Sequence, residues 1–332
     1  MSTVAVIGSE SLLGREIRDI VATTGVPIDL RLIADTDEQP GILTRVGDEP
    51  AIITRLNAEG LSGSRAVFLA GSAESSRKAL KLLDGSDEIA IIDLTGAAEE
   101  RPEARLRAPM VEKEEGDLEG ATHVIAHPAA IALALFLRRL HAQHPVRASV
   151  IQILAPASEH GAAGVEELQQ QTVSLLSFKS LPKAIFDAQL SFSLLPRYGE
   201  EAPTKLEDAE LRIERHLATL LALPGEGQDV PMPSLRLIQA SVFHGYSIGA
   251  WVEFESNPGV DTLENSLGSD FINVHSNEVE PPTNVGQAGQ SGIAVGLIEP
   301  DRNRPEACWF WLVADNLRLT AENAVAVARQ LV

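Results

Sequence analysis

Residues 3 to 34 constrain the fold of this chain more than any other stretch. Thr3 to Ile7 reads as a short apolar strand and Gly8 to Leu13 as a loop. Gly14 to Thr23 reads as an amphipathic helix with Ile17, Ile20 and Val21 on one face, and Ile28 to Ala34 as a second strand. Strand, glycine-bounded loop, helix and strand make a βαβ unit, whose two strands must run parallel. Such a unit holds a dinucleotide by presenting loop amides to the pyrophosphate and an acid at the second strand's end to the ribose. Gly8, Ser11, Leu12, Leu13 and Gly14 are the candidate loop residues, and Asp35 is the candidate acid.

Further strands, Ala51 to Arg55, Ala66 to Leu69, Ile89 to Leu94 and His123 to Ala126, alternate with helices, which implies a mostly parallel sheet covered on both faces. The loop Gly71 to Ser76, GSAESS, follows one of them. Gly71 and Ser72 there are placed either to cap a helix or to cradle a phosphate. After Ala129 the pattern changes. Helices Ala129 to His144, Val165 to Leu176 and Leu206 to Leu223 are followed by strands that return in succession. The strands of this half are Ala148 to Leu154, Ser234 to Val242, Ile248 to Glu255, Ile293 to Glu299 and Ala307 to Val313, an α+β arrangement with an antiparallel or mixed sheet. Glu278 to Gly292, rich in Gly, Pro and Asn, is a loop.

Composition narrows the class. A chain of 332 residues with 44% hydrophobic content favours two domains, and its net charge of -20 argues against a nucleic-acid partner, which requires Lys and Arg at phosphates. No apolar run reaches the roughly 18 residues of a membrane span, and MSTVAVIGSE lacks the form of a secretory signal. One cysteine excludes an intramolecular disulfide, so a cytoplasmic protein is expected.

Val124 to Leu140, VIAHPAAIALALFLRRL, is a strand, a Pro-led turn and an apolar helix, a geometry that stabilises a thiolate at the helix start. Leu312 to Val325 reads LVADNLRLTAENAV, Gly161 to Leu168 GAAGVEEL, and Phe243 to Glu253 FHGYSIGAWVE. In order and spacing these blocks resemble the aspartate-semialdehyde dehydrogenase family along essentially the whole chain. The resemblance implies an α/β fold: a Rossmann-like NAD(P)-binding domain, 1–128, completed by a C-terminal helix, 315–332, and an α+β dimerisation domain of the semialdehyde dehydrogenase type, 129–314. It also implies a homodimer through the second domain's sheet, and a place in amino-acid biosynthesis.

The family's chemical groups do not align with their counterparts. Its Asn-Pro-Asn-Cys turn corresponds to His127-Pro128-Ala129-Ala130, so the nucleophile position is Ala130. Its glutamine falls on Ala155, its substrate arginine on Gln239 and its catalytic histidine on Tyr246. Two further clamp positions fall near Glu99, with Arg101 close by, and near Glu210. The glycine loop keeps Gly8 and Gly14 but has Glu10 and Ser11 where the family has threonine and its central glycine. Both changes weaken phosphate binding, and Asp35 disfavours a 2′-phosphate, so NAD is expected weakly and NADP is disfavoured. The alternative is that Glu10 and Asp35 are solvated loop acids beside an empty cleft.

Other groups offer little replacement chemistry. Cys308, in an apolar strand, reads as a small buried hydrophobe, His244 as a surface histidine, and Ser158 as a cap or loop serine. His123 and His127 lack a cysteine to complete a metal set, so no metal is expected. Two functional readings follow. One is a homologue inactive in the family reaction, with a binding or regulatory role such as one toward a protein partner. The other is an NAD(P)-dependent oxidoreductase that acts without a covalent thioester.

Overall fold

The computed structural model describes residues 2–36, 38–85, 89–112 and 122–331. The chain divides into two compact units, Met1–Ala126 with Thr320–Val332, and His127–Leu319.

The first unit contains β1 Ser2–Ile7, α1 Leu12–Thr24, β2 Ile28–Ile33, β3 Leu43–Val46, β4 Glu49–Ile52, α2 Ala58–Leu61, β5 Ala66–Leu69, α3 Ala73–Leu82, β6 Ala90–Asp93, β7 Ala104–Arg107 and β8 Thr122–Ile125. Six strands form one sheet in the order β2-β1-β5-β6-β8-β7, every pair parallel. The stretch Val4 to Ile7 of β1 and the whole of β5 are apolar and buried, as a sheet covered on both faces requires. The order reverses between β1 and β5, which places the crevice of a doubly wound sheet beside the loops that follow them. The segment Ala51 to Arg55, read as a further strand of this sheet, instead supplies the end of β4, which pairs antiparallel with β3 in a separate hairpin. Its solvent-facing Leu43 and Ile52 have no place in a two-sided buried sheet. The edge strand β7, only four residues long, escaped the sequence reading.

The second unit contains α4 Pro128–Gln143, β9 Val146–Ala155, α5 Gly161–Leu176, β10 Leu194–Leu195, α6 Leu206–Leu221, β11 Ser234–Ala240, β12 Tyr246–Phe254, α7 Val260–Leu267, β13 Ile272–Val274, β14 Ile293–Pro300 and β15 Ala307–Ala314; α8, Asn316–Leu331, starts here and continues into the first unit. Seven strands form a mixed sheet, β10-β11-β9-β12-β15-β14-β13. Helix α4 is apolar around its whole circumference and correspondingly buried along most of its length. Its one deeply buried cation, Arg138, donates to the carbonyls of Leu220, Leu221, Leu223 and Pro224, so it is satisfied by the exposed dipole end of α6.

Asp315 explains the start of α8. One carboxylate oxygen accepts the amides of Leu317 and Arg318, and the other accepts Gly289 of the long loop at 2.8 Å. Asn316 accepts the Gly245 amide at 3.1 Å and pairs with Ser158, fixing the chain just before Tyr246. Further along α8, in the first unit, Asn323 accepts the Met110 amide and Gln330 accepts Arg107. Among the described residues no helix is long and apolar enough to cross a membrane.

Candidate functional site

Two separate places hold the residues that the sequence marks out, one in each unit. In the first unit the loop after β1 and the loop after β5 touch. A Cβ on Gly8 would stand 2.2 Å from the Gly71 Cα, and one on Gly14 would stand 2.1 Å from the Gly8 carbonyl oxygen. Gly8 also has φ of 75°, so both its conformation and its packing require glycine. The loop ends earlier than Gly8 to Leu13: α1 begins at Leu12 because Ser11 is its N-cap. The Ser11 hydroxyl accepts the Gly14 amide at 2.9 Å and donates to the Ala70 carbonyl at 2.6 Å. Leu12 and Leu13 supply the helix's first-turn amides.

Glu10 and Asp35 are not solvated acids. Glu10 is held by Arg15 at 3.1 Å and by Arg18, which also donates to Thr44 of β3. Burial opposes its charge, but the two guanidinium groups hold its carboxyl below the usual range. Asp35 accepts the Ser72 amide at 2.5 Å, the Ser72 hydroxyl at 2.6 Å and the Thr36 amide at 2.6 Å. Burial again works the other way, yet these donors keep its pKa low. The candidate ribose acid and the candidate phosphate loop are thus bonded to each other. Ser72 in turn caps α3 through the Ser75 amide. A third carboxylate, Glu38, was not read from the sequence. It accepts the Asp35 amide at 2.9 Å.

In the second unit Ala155, Gln239 and Tyr246 lie in a polar cluster made of two neighbouring chains of hydrogen bonds, while Ala130 and Glu210 take no part in those bonds. Ala130 is completely buried in the first turn of α4. His127 is the N-cap of that helix: its Nδ1 accepts the Ala129 amide at 3.3 Å, which leaves Nε2 to donate to Glu159 Oε2 at 3.0 Å. Its own amide donates to His216 Nδ1 at 2.9 Å. The buried Tyr246 hydroxyl donates to the other oxygen of Glu159. Burial would raise the Glu159 pKa, but His127, Tyr246 and His160 bring it down to about 2. Tyr246, buried against that negative charge, is pushed well above the ordinary phenol range.

A second chain of bonds runs beside it. His160 Nε2 donates to the Tyr198 hydroxyl at 2.8 Å, and that hydroxyl donates to Gln239 Oε1 at 2.8 Å. Gln239 then donates to the Ala155 carbonyl at 2.9 Å. Arg212 on α6 acts electrostatically on the Tyr246 phenol. The cluster holds one carboxylate anion, two phenols that stay protonated, and imidazoles engaged by fixed partners. It contains no thiol.

Glu210 accepts Arg236 and the Leu237 amide, both at 2.7 Å, and Arg101 is turned to Glu103 at 3.4 Å. His244 does not sit in a strand at the surface. It lies in the bend before β12, half-buried, with Nδ1 unpartnered among the described residues, because Gly245 at φ 81° delays the strand's start. Ser158 is buried in a 3-10 turn. Cys308 is buried in β15, which raises its pKa, and its thiol contacts Asn257 at 3.6 Å. His123 is buried in β8, 3.4 Å from Arg107, and no group of metal-ligating side chains occurs among the described residues.

The chain is thus an α/β protein built of a doubly wound parallel-sheet unit and a mixed-sheet unit. The family model for the semialdehyde dehydrogenase dimerisation domain matches residues 137–319, and the chain belongs to that family. Aspartate-semialdehyde dehydrogenase of Aquifex aeolicus is 28% identical, over 99% of this chain and 97% of that protein. The USG-1 protein homolog of Pseudomonas aeruginosa is 26% identical over 99% and 97%. Among solved structures, a probable aspartate-semialdehyde dehydrogenase from Pseudomonas aeruginosa superposes with a TM-score of 0.83 at 24% identity, covering 99% of this chain and 98% of that one.

Proposed function

We propose that this chain is an aspartate-semialdehyde dehydrogenase-like protein that does not catalyse the family's reaction, and that it serves a binding or regulatory role as a cytoplasmic homodimer. The observation that carries this reading is the engagement of the candidate site. Acyl transfer through a thioester needs a thiolate, a base and an anion clamp. Ala130 has no nucleophilic atom, Tyr246 is a phenol committed to Glu159, and Gln239 is an uncharged amide committed to Tyr198 and Ala155. Tyr246 and Gln239 are both bonded to neighbours rather than left open for a substrate.

Dinucleotide binding on this reading is weak and favours NAD. It is supported by the Asp35 to Ser72 bonds and by the three acids around the first loop. The dimer is supported by the outer face of the mixed sheet, where Val150, Trp251 and Trp309 are register neighbours on β9, β12 and β15, and Val150 and Trp309 are about half exposed.

Purified protein assayed with aspartate β-semialdehyde, phosphate and either NAD or NADP is expected to show no turnover above a protein-free control. Reproducible turnover abolished by a thiol-blocking reagent would sink the reading. Turnover insensitive to that reagent would favour an oxidoreductase with altered chemistry.

A further inference from the structure

Three carboxylates converge where β1 and β2 end, and they are not equivalent. Glu10 is neutralised by Arg15 and Arg18, and Asp35 is surrounded by donors from Ser72 and Thr36. Among the described residues Glu38 has no such cation. Its carboxylate accepts the Asp35 amide at 2.9 Å, and the Glu10 backbone amide also favours its charged form. These two amides belong to the second residue after β2 and to the glycine loop after β1. An anion at the ribose end of a dinucleotide would be met by this same pair. Of the other loop amides, Gly8 and Ser9 donate to Ile33, Ser11 donates to Gly8 and Gly14 donates to the Ser11 hydroxyl, while Leu12 and Leu13 open the first turn of α1.

We propose that Glu38 is an internal ligand of the dinucleotide cleft, occupying the amide pair at the ribose end and excluding a 2′-phosphate in particular. The inference deepens the weak-binding reading above and rests on it: it names the residue that sets both affinity and cofactor preference. Glu38 is raised in pKa, first by burial and then by the charges of Asp35 and Glu10, in keeping with a carboxylate kept in place by geometry rather than by a partner cation. A competing anion must displace it and also meet its charge. Removing the carboxylate frees two donors and takes away one repulsion, and both effects are larger for a 2′-phosphate than for a 2′-hydroxyl.

The test is calorimetric titration of the full chain and of its Glu38→Ala and Glu38→Gln variants with NADP and with NAD. Folding is verified by circular dichroism; the near-isosteric Gln variant keeps the loop filled if Ala loosens it. NADP affinity is expected to rise tenfold or more in Glu38→Ala and by a smaller factor in Glu38→Gln, and NAD affinity to rise less than NADP affinity. Weak binding by all three proteins, or an equal gain for both dinucleotides, would overturn the assignment of Glu38 while leaving the weak-binding reading standing. Tight NADP binding by the unsubstituted chain would instead overturn that reading, and the proposal with it.

Discussion

The Tyr246 hydroxyl donates to Glu159, so two positions more than eighty residues apart in the chain meet in one buried hydrogen bond. Glu159 sets the acid response of the second unit: burial opposes its charge, and His127, ahead of Tyr246 and His160, more than offsets it. Glu159 titrates near 2 in the folded protein against an ordinary value of 4.5, so the stability it confers is present above about pH 4.5 and is lost as pH falls toward 2. The amount is about 3 kcal/mol. His160 is shifted downward, mainly by burial, so folding also loses stability as pH drops below the ordinary imidazole value of 6.5. Urea midpoints measured from pH 7 to pH 3 should fall slowly at first and then steeply below 4.5, and Glu159→Gln should remove the steep part. An unchanged profile in that variant would show that Glu159 is not the group responsible.

Restoring the two most conspicuous side chains is not expected to restore chemistry. An Ala130→Cys, Tyr246→His double variant gains a thiol and an imidazole, but Ala130 is fully buried and Gln239 carries no positive charge for a substrate carboxylate. Removing Tyr246 also takes a donor from Glu159, at a cost of about 1–3 kcal/mol. The variant should be less stable in urea and should show no phosphate-dependent oxidation of aspartate β-semialdehyde. A rate well above background would mean that the lost groups alone separate this chain from an active enzyme.

Gly8→Ala tests whether the first glycine serves packing rather than a cofactor. The new methyl would overlap the Gly71 Cα at a backbone φ of 75°, so about 2–3 kcal/mol of destabilisation is expected without any ligand present. Thermal unfolding of the ligand-free protein measures it. A variant as stable as the parent would return Gly8 to a role in binding alone.

Much of the framework was legible because local pattern and tertiary outcome agree. The apolar run Ala66 to Leu69 is the strand β5, and the Pro-led apolar segment after His127 is α4. The polar cluster was not legible, since its members carry no shared spacing. Glu159 sits in a 3-10 turn, Tyr246 at the start of β12 and Tyr198 in a loop, and only the pairing of β9 with β11 and β12 brings these segments together. Glu38 was missed because a loop acid reads as solvated until its partners are known. On α6 the resemblance points to the neighbourhood of Glu210, but it is Arg212, two residues on, that acts on Tyr246, and no local pattern marks it.

The outer face of the mixed sheet supports the last prediction. Val150, Trp251 and Trp309 lie side by side across β9, β12 and β15, and the indole N–H groups of both tryptophans donate to Asp301 at 2.9 Å, which ties the two rings to one carboxylate. Burying such a row against a second copy removes three large side chains from water, at roughly 25 cal/mol for each Å² covered. Sedimentation at micromolar concentration should give a species of twice the 35.5 kDa chain mass. Val150→Glu should shift it to the chain mass, because a charge at the centre of a dry interface has no partner there. Trp309→Glu should do the same and also sets a second carboxylate beside Asp301. A dimer unaffected by both substitutions would place the contact elsewhere on the molecule, and a monomeric parent would show that this face is not used between copies.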